Sequence, residues 1–323
     1  MHTSPSIAVI LPAFNEAATV QATILAFAKV LPDAKIYVIN NRSSDDTEQI
    51  ARLALDKLTM PGVLINESRK GKGNALRAAF LAIDADAYLL ADADMTYPAN
   101  RALDLLKPIL NGQADMVVGD RHTGGQYAKE NKRLLHGFGN RLVQGLINFL
   151  FRAQLADVMS GYRAFSKTFV KTYPILVEGF QIETDMTLHA LDKRFRIMEL
   201  PIDYQDRPEG SVSKLNTFSD GAKVLFTIAQ IFRYYRPLAF FATLASFFSI
   251  AGLCASIPVL TDWILHRFIY HVPLAILATG MEIFAVMLLG IGLILDSLKH
   301  YQKMEYERSL LTNSIIRSEQ SNV

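Results

Sequence analysis

The stretch from Leu238 to Leu260 carries no charged side chain, and the stretch from Pro273 to Leu295 carries one, Glu282. Each is long enough to cross a bilayer, which takes about 20 apolar residues. Lys223, Arg233 and Arg236 precede the first stretch, and Lys299, Lys303 and Arg308 follow the second. The segment between them has only Arg267 among its interfacial residues Asp262, Trp263, His266 and Tyr270. This distribution predicts a multi-pass protein with both ends on the cytoplasmic side of the cytoplasmic membrane. From Leu215 to Tyr235 the pattern is amphipathic and ends in Arg233, Tyr234, Tyr235 and Arg236, which predicts a helix lying in the membrane interface. The alternative is a soluble helical hairpin. Glu282 is costly inside a span. A protonated side chain bonding Ser246, Ser249 or Ser256, or a subunit contact, suits it better than a functional role.

Hydrophobic residues make up 50% of the 323, and the excess lies after Pro237. The remainder reads as a soluble domain. The net charge of +2 and the lack of a basic stretch with interleaved aromatics argue against a nucleic-acid partner. A single cysteine, Cys254, rules out a disulfide framework or a cysteine-based zinc site within one chain. Met1 to Ser6 is short and polar, so no cleaved signal peptide is expected and the domain beginning at Ile7 should stay in the cytoplasm.

That domain alternates short apolar runs with helical periodicity. Ile7–Leu11, Lys35–Ile39, Val63–Asn66, Ala87–Ala91 and Asp115–Val118 read as buried strands. Glu16–Leu31, Thr47–Leu58, Gly73–Ile83 and Asn100–Leu110 read as helices. The alternation predicts an α/β fold with an open, mostly parallel sheet covered on both faces. Ligands bind such sheets at the carboxyl ends of strands, so the loops after Leu11, Ile39, Asn66, Ala91 and Val118 form the functional edge.

Asp92-Ala93-Asp94 lies on that edge. Two carboxylates at i and i+2 can converge on one hard cation, and Mg²⁺ takes one or two carboxylates plus substrate phosphates. A diphosphate leaving group needs such help, because negative charge builds on it as the bond breaks. Pro12-Ala-Phe-Asn-Glu16 leaves the first strand, and Asn15 and Glu16 can hydrogen-bond a nucleotide. Their bland reading is a helix N-terminus with Asn15 as cap. Asn40 to Thr47 reads as a turn and cap. Gly71-Lys72-Gly73 puts a lysine between glycines before a helix, where a backbone can approach an anion closely; the spacing is not that of a P-loop.

In order and spacing, these segments together with Gly119-Asp-Arg121 resemble family 2 glycosyltransferases, which have the GT-A fold. Ser160-Gly-Tyr-Arg-Ala-Phe165, Gly179-Phe-Gln-Ile-Glu183 and Arg207-Pro-Glu-Gly-Ser-Val-Ser-Lys214 are similar to the polyprenyl-phosphate branch, which includes dolichyl-phosphate mannose synthases. Two C-terminal spans fit that branch. The resemblance implies that Pro12, Ala13, Asn15, Glu16, Asn40, Lys72, Asp92 and Ala93 hold the nucleotide-sugar. It makes Asp92 and Asp94 the ligands of Mg²⁺ or Mn²⁺, and counts them with Arg207 as catalytic. Asn40 stands where the family usually has Asp, and Thr96 falls at the third metal position of some relatives. Arg121, Arg207 and Lys214 would surround the phosphates, with Lys132 or Arg133 and His136 at two further acceptor positions. Arginine suits bidentate phosphate contact whatever the family.

The expectation is therefore a GT-A domain over 1–214, an interfacial helix over 215–236, an all-α two-span anchor over 237–298 and a cytoplasmic tail over 299–323. The expected reaction is inverting transfer of a hexose from a UDP- or GDP-linked donor to a polyprenyl phosphate. Partners are the donor, the lipid acceptor and the membrane; a flippase and a second copy of the chain are further partners left open. The rivals are a transferase to a sugar hydroxyl and a non-catalytic membrane scaffold. The sole tryptophan, Trp263, is not in the Gln-x-x-Arg-Trp motif of processive synthases. A phosphate acceptor arrives already ionised and needs no general base, so Asp157, Glu183 and Asp185 are expected to cap and hold the acceptor loop.

Overall fold

Apolar runs become adjacent strands because only a sheet buried on both faces can cover side chains pointing both ways. The structure is a computed structural model that describes residues 4–123, 134–178, 181–203 and 228–321. The chain divides into two compact units, Met1–Gly221 and Ala222–Val323.

In the first unit the strands are β1 (Ile7–Ala13), β2 (Lys35–Asn40), β3 (Val63–Asn66), β4 (Ala87–Leu90), β5 (Met116–Asp120), β6 (Arg163–Ser166) and β7 (Ile197–Pro201). They form one sheet in the order β3-β2-β1-β4-β6-β5-β7. The four strands β1 to β4 are parallel, β6 runs antiparallel between β4 and β5, and β7 is parallel to β5. The helices are α1 (Val20–Val30), α2 (Thr47–Asp56), α3 (Lys72–Ala82), α4 (Ala102–Leu110), α5 (Leu134–Phe151), α6 (Lys167–Thr172) and α7 (Ile182–Asp192).

Strand alternation sends Val9, Leu11, Ala87 and Leu89 into one core with Ile24, Phe27, Leu105 and Leu106. It sends Ala8, Ile10, Tyr88 and Leu90 into the other with Leu76, Phe80, Phe165 and Met186. Pro12 sits in a central strand, where a missing N–H is usually a fault. Ile10 accepts from Ala91 on the β4 side, and Pro12, two residues on, faces that side past the last β4 pair, Ile10 with Leu90. The sheet opens there, at its carboxyl edge.

The helix expected from Glu16 begins only at Val20. Asn15 adopts a left-handed backbone, φ 55°, so it is not the helix cap. The N–H groups of Asn15, Glu16 and Ala17 donate to Ser43, Thr47 and Asp45 side chains, which fixes the segment as a loop.

The second unit is a helical hairpin, α8 (Pro237–His266) and α9 (Val272–Ser321). Both helices are long and apolar enough to cross a membrane, with only 11% and 17% of their apolar windows buried. A soluble hairpin core would bury far more of them. Ala245, Ala285 and Leu288 pack at the seam with Phe241 and Phe248. Of the three serines offered for Glu282, Ser249 makes the bond, donating to Oε2 at 2.9 Å. Of the expected interfacial helix, residues 228–235 are helical and 215–227 lie outside the described residues. Asp262 closes the hairpin turn by accepting from the N–H groups of Tyr270 and His271.

Candidate active site

Four loops leave the carboxyl ends of the parallel strands and are tied in place by backbone and side-chain hydrogen bonds. Asn41 N–H donates to the Ala13 carbonyl and Glu67 N–H to the Asn40 carbonyl. Ser44 N–H donates to Asn15 Oδ1 at 2.8 Å. The loop after β4 is fixed from α1: Thr19 and Thr23 hydroxyls both donate to the Ala93 carbonyl, at 2.8 and 3.1 Å. Pro12, Ala13, Asn15, Glu16, Asn40 and Ala93 thus gather on one edge.

Asn40 is buried and fully engaged. Its Nδ2 donates to Asn66 Oδ1 at 2.9 Å and Glu48 Oε2 at 3.3 Å, and its Oδ1 accepts from Ser43 N–H. An amide at this position can donate to Glu48, whereas a carboxylate there would repel it.

Asp92 and Asp94 sit on the loop after β4. Asp94 is buried, and its Oδ1 accepts from Thr96 Oγ1 at 2.5 Å and Thr96 N–H at 3.2 Å. Thr96 therefore supports Asp94 directly. Asp92 is more open, its side chain 29% exposed, and its Oδ1 lies 2.5 Å from Lys72 Nζ. The same ammonium lies 2.6 Å from Glu183 Oε1 at the start of α7, and both of those side chains are buried. Burial alone would push the Lys72 pKa down; the carboxylates of Asp92 and Glu183 reverse this and hold it above its ordinary value. Gly161 packs closely here: a Cβ would lie 3.0 Å from Asp92 Oδ2 and 3.1 Å from Lys72 Nζ.

The glycines flanking Lys72 admit a close approach of the chain's own backbone. A side chain on Gly71 would meet the Glu178 carbonyl, and one on Gly73 the Val177 carbonyl. Gly73 N–H donates to the Glu178 carbonyl at 3.0 Å. The close approach is made by the chain's own 177–178 segment, which delivers α7 and Glu183 to Lys72.

Arg121 makes a bidentate pair with Asp157, Nε to Oδ2 at 2.7 Å and Nη2 to Oδ1 at 3.0 Å. Asp157 is 1% exposed. Burial would raise its pKa, but the Arg121 guanidinium overrides that and holds the carboxyl below its ordinary value. Beneath it, Glu199 on β7 accepts from the N–H groups of Ala156 and Asp157 at 2.7 and 2.8 Å. Arg163 on β6 is completely buried and donates to the carbonyls of Ser160 and Val158 and to Thr187 Oγ1. Burial lowers its pKa, against the pull of Glu183 and Asp157. Asp185 accepts from Tyr173 OH at 2.6 Å, and burial raises its pKa against that bond. The sequence motifs contain Arg163, yet no role was expected for it or for Glu199. The available signal was a charged residue inside each short apolar strand. Arg133, Arg207 and Lys214 lie outside the described residues, as does the side chain of His136 in α5.

Residues 8–173 match the family model described as glycosyl transferase family 2. The chain belongs to that family. This family 2 glycosyltransferase is 28% identical over 309 residues to glycosyltransferase AglJ of Haloferax volcanii, covering 95% of this chain and 98% of AglJ. It is 28% identical over 231 residues to a dolichyl-phosphate hexose transferase of the same organism, covering 71% and 95%. A solved structure of glucosyl-3-phosphoglycerate synthase from Mycobacterium tuberculosis, in complex with Mn²⁺ and UDP-glucose, superposes with a TM-score of 0.53 at 22% identity, covering 71% and 78%. That likeness establishes the GT-A fold for the sheet unit, as expected from the sequence.

Proposed function

We propose that this glycosyltransferase transfers a hexose from a UDP- or GDP-linked donor to a polyprenyl phosphate, with inversion at the anomeric carbon. The observation that carries the reading is the Lys72–Asp92 pair at the carboxyl end of β4, on the loop that also carries Asp94. The likeness to a dolichyl-phosphate hexose transferase and the apolar hairpin support a lipid phosphate acceptor.

Asp92 and Asp94 fit a hard divalent cation in number and chemistry. Asp92 Oδ2 accepts no hydrogen bond among the described residues. The two carboxylates would hold Mg²⁺ or Mn²⁺, which when bound offsets charge developing on the leaving diphosphate. The neighbour of the same fold was solved in complex with Mn²⁺ and UDP-glucose, which suits a divalent ion in this reading. Loops tied at Ala13, Asn40 and Ala93 keep the edge fixed, so little reorganisation accompanies the reaction. The attacking phosphate monoester, with a second pKa of about 6, is already an anion. Asp157, Glu183 and Asp185 are each committed to a partner, which suits positioning rather than proton removal. The direct test offers membranes containing the protein a panel of labelled nucleotide-sugars. One donor's label is expected to become organic-extractable and acid-labile; label that stays aqueous with every donor would refute the reading.

We read α8 and α9 as crossing the membrane with both termini in the cytoplasm, on the flanking lysines and arginines. In a Cys254→Ala background, cysteines placed at Ser4 and Ser321 are expected to resist an impermeant thiol reagent in intact cells, and one at His266 to react. Labelling at position 4 from outside would reverse the topology.

A further inference from the structure

Lys72 touches both halves of the sheet unit's site: Asp92 on the donor loop at 2.5 Å and Glu183 on α7 at 2.6 Å. Its side chain is 9% exposed, so the ammonium has little room to swing into solvent. We propose that Lys72 is an internal stand-in cation: in the free protein its ammonium occupies Asp92 Oδ1 and opposes a divalent ion there, so that metal and nucleoside diphosphate bind together rather than in turn. This rests on the reading of Asp92 and Asp94 as the divalent site.

Three observations carry it. An ammonium at hydrogen-bond distance from Oδ1 already occupies one oxygen of the carboxylate that would hold the ion and sets a positive charge beside it. Glu183 anchors the ammonium from the other side, so Lys72 gives up Oδ1 without leaving the site and its charge goes on repelling the ion. Gly161 packs against both groups, where a Cβ would crowd Asp92 Oδ2 at 3.0 Å and Lys72 Nζ at 3.1 Å. A diphosphate arriving with the ion brings the negative charge that removes this penalty. The ammonium that blocks the ion alone then favours the ion–diphosphate pair.

The test is Mn²⁺ binding to the full-length protein in detergent, read from the electron paramagnetic resonance of the free ion, without nucleotide and with UDP or GDP. The natural protein is expected to bind Mn²⁺ at least about tenfold more tightly with its preferred nucleotide than without. Lys72→Met is expected to bind Mn²⁺ alone at least about tenfold more tightly than the natural protein, and to lose most of the nucleotide's enhancement. Lys72→Arg should restore the original pattern, and Lys107→Met, an exposed and remote charge, should change nothing. A purely structural Lys72 would not move Mn²⁺ affinity in this direction. Lys72→Met binding Mn²⁺ alone no more tightly than the natural protein overturns the proposal. Should that variant fail to fold, Glu183→Gln decides: with its anchor gone, Lys72 turns wholly to Asp92 and Mn²⁺ alone should bind at least about threefold more weakly. Unchanged or tighter binding overturns the proposal. If Lys72→Met gains Mn²⁺ while neither nucleotide helps the natural protein, the stand-in survives and the donor reading fails. If no variant binds Mn²⁺ under any condition, both fall.

Discussion

Asp94→Ala is expected to lose at least about 10² in transfer rate, and neither Mg²⁺ nor Mn²⁺ should recover it. Asp94 is 3% exposed and held by Thr96 through two hydrogen bonds to one oxygen, so its carboxylate is fixed before any ligand arrives. A fixed carboxylate stabilises a cation on the leaving diphosphate without reorganising during the reaction. Alanine removes the charge and leaves Thr96 without its acceptor. EDTA is expected to abolish transfer by the natural protein, and either ion to restore it. An Asp94→Ala protein that transfers at the full rate in EDTA would remove the metal from this account.

Asp157→Asn should show the largest loss of stability. The Arg121 guanidinium, nearly buried, would keep its charge and lose that of Asp157. Breaking a buried pair from one side costs about 3–5 kcal/mol. The thermal midpoint should fall by on the order of 10 °C. The pH dependence has a definite sign. Asp157 is held below its ordinary value, so the pair's contribution is fully present above the unfolded pKa of about 3.9. It is lost as pH falls below that point toward the folded value. The natural protein should therefore lose stability in that acid window, and Asp157→Asn should lose less there. If the variant melts with the natural protein and keeps the same acid limb, Asp157 does not hold Arg121. If instead it folds normally and loses 10² or more in the chemical step with both substrates saturating, Asp157 is a base and the proposed mechanism is wrong.

The parallel half of the fold was legible because each of its strands is an uninterrupted apolar run ending at a polar loop. Ile7–Leu11 and Ala87–Ala91 could bury both faces, and only a covered sheet allows that. The antiparallel β6 and the edge strand β7 were not legible. Arg163 and Glu199 interrupt their apolar runs, and each belongs there only because the 156–160 loop folds over it and supplies hydrogen-bond partners. The site divides in the same way. Asp92 and Asp94 stand two residues apart after β4, so their place on the carboxyl edge could be read from spacing. Lys72 and Glu183 meet through the packing of Gly71 and Gly73 against residues 177–178, a contact that no local pattern announces. The start of α1 was misplaced because the bonds that hold Asn15 to Ala17 out of a helix come from the loop after β2.

The central claim is that a lipid phosphate oxygen attacks the sugar, and one measurement addresses it directly. The purified full-length protein is given the donor found active in membranes, together with a polyprenyl phosphate or the same polyprenol lacking phosphate. The product is analysed by phosphorus NMR and by the configuration of its anomeric carbon. The account predicts transfer to the phosphate alone, giving an acid-labile sugar phosphodiester with the anomeric configuration inverted. Equal transfer to the unphosphorylated polyprenol, or a phosphodiester with retained configuration, would contradict it.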